Sequence, residues 1–356
     1  MKHLRWIILA IFVLSILSSA QTSSNVSVFA TGFNNPRGLK WGPDGNLYVA
    51  EGGAGGKLST VGICKQAAGA GPYTGDFTAR ISKVDPNGVV STLVDHLPSS
   101  QTNPDLGSLV SGVADVAFIN GTLYAILSGA GCSHGLYGTN NAVIRVNSDG
   151  TWFQVANLSK FQKNHPVANP EPDDFEPDGT WYGMVAAGGV LYAIEPNHGE
   201  LDAITTDGLI TRVADISNSQ GHIIPTAIVA GGDSFFVGNL ERFPIQGETS
   251  KVMKITRTGE VTTLAIDFST ILGLARDSQH RLYVLENTTG NAFPTPGTGK
   301  VIRIDGKNKY TEIATGLNLP TAMTFGPDGN LYVSAWGFGP PPIGMGEVDK
   351  ITLPSN

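Results

Sequence analysis

Pro36 to Val49 reads PRGLKWGPDGNLYV and Pro320 to Val333 reads PTAMTFGPDGNLYV, identical from Gly-Pro-Asp-Gly through Leu-Tyr-Val. Four weaker copies lie between them: VADVAFINGTLYAI (113–126), YGMVAAGGVLYAI (182–194), PTAIVAGGDSFFV (225–237) and LGLARDSQHRLYV (272–284). In each, two runs rich in aliphatic and aromatic residues flank a short polar turn. Where that turn is Pro-Asp-Gly, Asn-Gly or Gly-Gly, proline presets φ and glycine supplies the positive φ that a tight reversal needs. Each copy is therefore predicted as a β-hairpin, and their repetition marks a repeat architecture.

A third strand follows each hairpin: ARISKVDPNG (79–88), AVIRVNSDG (142–150), ELDAITTDG (200–208), KVMKITRTG (251–259), KVIRIDG (300–306) and EVDKIT (347–352). A fourth follows the first five, as VVSTLV, WFQVANL, ITRVADI, EVTTLAI and TEIATGL, but the sixth copy reaches the end of the chain without one. Its counterpart stands at the opposite terminus, where Val26 to Phe33 (VSVFATGF) precedes the first hairpin. The pattern predicts an all-β, six-bladed β-propeller closed by the N-terminal strand completing the last blade. The marker aromatics Tyr48, Tyr124, Tyr192, Phe236, Tyr283 and Tyr332 are spaced 76, 68, 44, 47 and 49 apart, so the first two blades carry the extra sequence. A closed ring cannot be split into two domains, and residues 21–356 are expected to form one.

Gly plus Pro account for 66 of 356 residues while charged residues make up 15%, and 41% are apolar. That is turn-rich and too hydrophobic for a disordered chain. Residues 1–20 read as a signal peptide, with Lys2 and Arg5 at the start, an apolar run from Trp6 to Leu17, and Ser18-Ser19-Ala20 for cleavage. The run is too short to span a bilayer, and no later segment matches it, so no membrane insertion is expected after cleavage. Without those residues 21 basic groups face 30 acidic ones, with no basic cluster, which argues against nucleic acid as a partner. The expected location is periplasmic or extracellular.

Three phrases go beyond the generic hairpin. They are Pro36-Arg37-Gly38-Leu39 leading to Ala50-Glu51-Gly52-Gly53, Tyr182-Gly183 after Asp178, and Gly238-Asn239-Leu240-Glu241-Arg242-Phe243-Pro244 followed by Gly247. In these the chain resembles the ScyD/ScyE-type exported propellers, a branch near the NHL-repeat and gluconolactonase-like six-bladed folds. The resemblance spans Val28 to Thr352 and implies the fold, but no set of catalytic residues. That family takes its name from proteins associated with making the cyanobacterial sunscreen scytonemin, and it is more widespread than that pathway. Where it usually has Asp-Ser-Asn-Pro-Tyr-Gly, this chain has Asp178-Gly179-Thr180-Trp181-Tyr182-Gly183, which alters a loop that could serve a site.

In a propeller, the loops leaving each second strand share a rim with those entering each first strand. Three residues past the marker aromatics stand Glu51, Leu127, Glu195, Asn239, Glu286 and Ala335, and the first strands begin near Arg37, Asp115, Asp178, Thr226 and Thr321. With Asn287 beside Glu286, these residues put oxygen ligands around one rim. Crowded carboxylates there would be relieved by protonation or by a divalent cation such as calcium. The acidic stretch Glu171 to Gly179 lacks the closing glutamate of a calcium loop and reads as a solvated insertion. Gly131-Cys132-Ser133-His134-Gly135 matches G-x-S-x-G only by chance, since no strand-to-helix turn surrounds it. His198 and His222 are acid/base candidates near the rim, and Trp336-Gly337-Phe338 could floor a pocket. Cys64 and Cys132 lie in the insertions of adjacent blades, and an oxidising compartment would pair them.

These features predict an exported propeller of undefined activity that binds a small molecule or a protein partner at the channel rim. The alternative is a metal-dependent hydrolase or lactonase at the channel mouth, with a cation polarising a carbonyl and one of Glu51, Glu195 or Glu286 as base. A quinone-dependent sugar dehydrogenase ranks third: related PRGL and PDG phrases occur there, but no His/Arg/Lys cofactor set accompanies them here.

Overall fold

The computed structural model describes residues 21–170, 176–338 and 344–354. The predicted signal peptide lies outside the described residues, as do residues 171–175 of the acidic stretch. The chain forms six small antiparallel sheets, five of them built of consecutive strands, and the first strand of each packs beside the first strand of the next. This is a six-bladed β-propeller. In blade six, Ala322–Phe325, Leu331–Ala335 and Gly346–Ile351 are followed in the sheet by Val26–Phe33 from the other end of the chain. The pairing runs from Val26 opposite Ile351 to Phe33 opposite Gly346.

The repeated phrase owes its form to two jobs. Its aspartate holds the turn together: Asp44 accepts from the Tyr48 hydroxyl at 2.9 Å and the Lys83 ammonium at 2.7 Å, and Asp328 does the same with Tyr332 and Lys350. Against the effect of burial, these donors hold the Asp328 carboxyl down at about 2. The marker ring then meets a residue at or next to the end of the next blade's first strand. Tyr48 meets Phe118, Tyr283 meets Phe325 and Tyr332 meets Trp41, edge to face with centroids 5.1–5.2 Å apart. In the same place the Arg276 guanidinium lies 5.6 Å from the centre of the Phe236 ring. One aromatic position thus sets both the hairpin and the contact between blades.

Blade one differs from the predicted four strands. Its third and fourth strands, Thr74–Val84 and Val90–Gln101, are long, and a short fifth strand, Val110–Ser111, pairs with the latter. Their extensions arch over the end of the ring where first strands begin. Cys64 and Cys132 form a disulfide, Cα atoms 6.3 Å apart, that ties the blade-one insertion to that of blade two. Among the described residues no helix is long and apolar enough to cross a membrane.

Asp349, in the strand that receives Val26–Phe33, has a pH consequence. Burial first, and the Glu347 charge second, push its carboxyl up to about 7. An acid whose folded pKa lies above its unfolded one stabilises the fold fully below the unfolded value, near 4. It loses that contribution as pH rises through 7, a swing of at most about 4 kcal/mol. Asp349→Asn should therefore melt at a higher temperature than the parent at pH 8 and at nearly the same temperature at pH 4. Parallel melting curves of the two proteins across that range would sink the assignment.

Candidate functional site

The sheet register aligns the first strands residue by residue. At one level of that register stand Gly38, Asp115, Gly183, Ala227, Gly273 and Ala322, and together they line a small cavity of about 40 Å³ on the ring's axis. Small residues are required because the strands crowd there: a Cβ on Gly38 would fall 1.9 Å from Asp115 Oδ1. Asp115 is the exception, and it works as a brace. Its Oδ2 accepts the Met184 N–H of the next blade at 2.8 Å and its Oδ1 the Val116 N–H at 2.8 Å. Burial pushes it up to about 6, with Lys40 pulling the other way.

One residue earlier in that register stand Arg37, Ala114, Tyr182, Thr226, Leu272 and Thr321. The first four open into a larger pocket of about 190 Å³. Leu240 and Phe243 after the second strand of blade four, and Phe338 after that of blade six, complete one side. Tyr73, Leu106 and Val110 from the blade-one arch form the other. Tyr182 is fixed by donating its hydroxyl to Thr321 O at 3.1 Å, while Thr321 Oγ1 reaches Pro36 O at 2.7 Å. Tyr73 donates to Glu176 Oε1 at 2.6 Å, and Glu176 is held by Thr180 Oγ1 and by His134, whose Nε2 lies 3.4 Å away. Burial opposes charge on both, yet their pairing wins, so Glu176 sits below the usual carboxylate range and His134 above that of a free imidazole. On its other side, His134 Nδ1 lies 2.9 Å from Ser100 Oγ. The match to G-x-S-x-G is therefore a short 3₁₀ turn whose histidine is structural.

The predicted rim carboxylates do not converge. Glu51 Oε2 accepts the Asn34 N–H at 2.6 Å and its Oε1 the Arg80 Nε–H at 2.7 Å. Glu286 accepts the Ser269 N–H at 2.5 Å with Lys300 Nζ 3.2 Å away, and Glu195 accepts the N–H groups of Thr180 at 2.8 Å and His198 at 2.6 Å. Asn239 plays the same part with an amide, donating to Ile223 O and accepting from the Lys251 N–H. Each side chain clamps the loop leading into its own blade's first strand, fully buried, with a cross-strand cation in blades one and five. Asn287 likewise donates to Pro320 O of the next blade at 2.9 Å. Among the described residues no group of three or more His, Cys, Asp or Glu is placed to hold a metal ion. Among the described residues these carboxylates are each engaged within their own blade: position at a strand end does not by itself aim a side chain at the axis.

Of the predicted site residues, Arg37 and Thr226 line the pocket, and Asp115 and Thr226 the cavity beneath it; Glu51, Glu195, Asn239, Glu286, Asn287, His198 and His222 line neither. Phe338 does contribute to the pocket, as its phrase suggested. Sequence reasoning missed Tyr73, Leu106 and Val110, because they come from an insertion outside the repeat. It could have found Tyr182, which holds the position in blade three that Arg37 holds in blade one.

No protein-family model matches the chain, and no curated protein matches it in sequence. Solved structures do. A protein of unknown function from Bacteroides thetaiotaomicron shares 12% identity at TM-score 0.59, covering 93% of this chain and 76% of its own. A gluconolactonase from Xanthomonas campestris shares 11% at TM-score 0.54, covering 92% and 89%. A luciferin-regenerating enzyme shares 10% at TM-score 0.56, covering 94% and 96%. At such identities the likeness is one of fold alone: the chain shares a β-propeller fold with these proteins.

Proposed function

We propose that this protein is an exported, non-catalytic propeller of the ScyD/ScyE type that binds a small, largely apolar molecule in the pocket at the channel mouth. The observation that carries the reading is the pocket's chemistry. Its described lining is mainly aliphatic and aromatic with a few neutral hydroxyls and one amide, Arg37 being its one permanently charged group, and it offers no carboxylate or imidazole to serve as a base. Three of the phrases that carry the family resemblance also meet there, through Arg37, Tyr182, Leu240 and Phe243. Hydrolysis of a lactone is supported only by likeness to a gluconolactonase fold, and fold does not choose chemistry. Export is supported by the basic and apolar start of the chain and by the disulfide, a bond of oxidising compartments.

Ligand-observed NMR with toluene, benzyl alcohol and phenylacetamide tests the pocket. Ser111 lines it at the edge of the arch, and Ser111→Trp should fill it. Saturation transfer to these probes is expected with the parent protein and should be lost in the variant, with the melting temperature kept within a few degrees. Equal transfer to both would place the probes elsewhere and end the proposal.

A further inference from the structure

We infer that the pocket's ligand is an aromatic monocarboxylate of about one ring, anchored through its anion by Arg37; the inference rests on the pocket reading above and names the ligand class. Arg37 is 6% exposed and permanently charged. Its guanidinium donates to Val110 O, and its carbon lies 5.7 Å from the ring centres of both Tyr182 and Phe338. Among the described residues no carboxylate stands within ion-pair distance of it. Elsewhere several half-buried cations are matched to acids, as in Arg80 with Glu51, Arg212 with Glu200, Arg281 with Asp277 and Lys300 with Glu286. A desolvated guanidinium without an anion is costly, and the rings on either side offset only part of that cost. Arg37 lines the pocket, so an anion held there would meet its guanidinium.

A second polar group points the same way. Ser128 lines the pocket, is 2% exposed, and its buried hydroxyl has no hydrogen-bond partner. A ligand oxygen in the pocket would satisfy it. Most of the remaining lining is aliphatic or aromatic, with Thr102, Ser111, Thr180, Asn197 and Thr226 as its neutral polar members, and about 190 Å³ exceeds the roughly 150 Å³ of an engineered cavity that holds benzene, leaving room for a ring and a short carboxylate arm. Phosphate and sulfate fit less well. They call for several cationic or amide donors, whereas a carboxylate matches the two-pronged edge of a single guanidinium.

Titration calorimetry on the purified protein with phenylacetate, phenylacetamide, phenethylamine and inorganic phosphate separates the possibilities. Phenylacetate should bind at least about tenfold more tightly than the isosteric amide, the amine should not bind, and phosphate should not compete. Arg37→Met should abolish the preference for the acid while leaving the amide's affinity within about threefold. If that variant does not fold, Arg37→Lys keeps the charge but loses the fork, and should shrink the preference without removing amide binding. Equal affinity for acid and amide in the parent protein would overturn the carboxylate assignment and leave the pocket standing. Parallel loss of acid and amide in a folded Arg37 variant would make Arg37 a structural residue and overturn the assignment as well. Failure of every probe, neutral and anionic, would overturn both this inference and the reading beneath it.

Discussion

A chain beginning at Asn34 is expected to melt far below the protein that keeps residues 21–33, or not to fold. The deleted strand is the outer strand of blade six, and its removal strips the Gly346–Ile351 strand of its antiparallel partner. It also removes Phe33, which is fully buried, and Phe29, whose ring sits 5.0 Å from that of Tyr332 edge to face. Residues just before the strand hold a second blade: Thr22 Oγ1 donates to Gly316 O and Ser23 N to Thr315 O, both in the outer strand of blade five. One large buried aromatic is worth about 2–3 kcal/mol and each lost ladder bond about 1 kcal/mol, so the total is on the order of 5 kcal/mol or more. That is half or more of the stability of an ordinary domain. A synthetic peptide of residues 21–33 added in excess should raise the truncated chain's melting temperature. An unchanged melting temperature after truncation would refute the role given to the strand.

The hairpins were legible because each repeat states its own turn chemistry, and six statements of one phrase agree. Closure was legible because the sixth copy ran out of chain and Val26 to Phe33 matched what was missing. The site was legible only in part. Glu51, Glu195 and Glu286 were rightly placed as equivalent, but equivalence within a blade does not say whether a side chain faces the axis or its own sheet. The register decides: the ends of second strands clamp backbone groups of their own blade's entry loop, while the position equivalent to Arg37 faces the pocket in four of the six blades. Reading that position around the ring gives Arg37, Ala114, Tyr182, Thr226, Leu272 and Thr321, with one cation among neutral groups. Tyr73, Leu106 and Val110 were out of reach for another reason. An insertion has no sister copies, and its path over the rim is set by long-range packing and the Cys64–Cys132 link.

Replacing Cys64 and Cys132 together by serine should cost both stability and ligand. The bond closes a segment with a sequence separation of 68, for which the chain-entropy account gives roughly 4 kcal/mol, or a fall of roughly 5 °C in melting temperature for a protein of this size. The local consequence is more specific. Thr60, four residues before Cys64, donates its hydroxyl to Cys132 O, and Leu58 bridges Gly75, so the insertion is docked on the turn that carries His134. That turn, through Glu176, steadies Tyr73 on the pocket wall. Freed of the bond, the insertion that carries Ala70 and Tyr73 gains conformations in which the wall is not formed, and a ligand must select the formed one. Phenylacetate affinity should then fall by the fraction of molecules with an open wall, while the preference for acid over amide, which belongs to Arg37, stays. Differential scanning calorimetry and titration of the double variant read the two effects separately. An unchanged melting temperature would show that the link does not constrain the unfolded chain, and a lost acid preference would show that Arg37 depends on the insertion for its orientation.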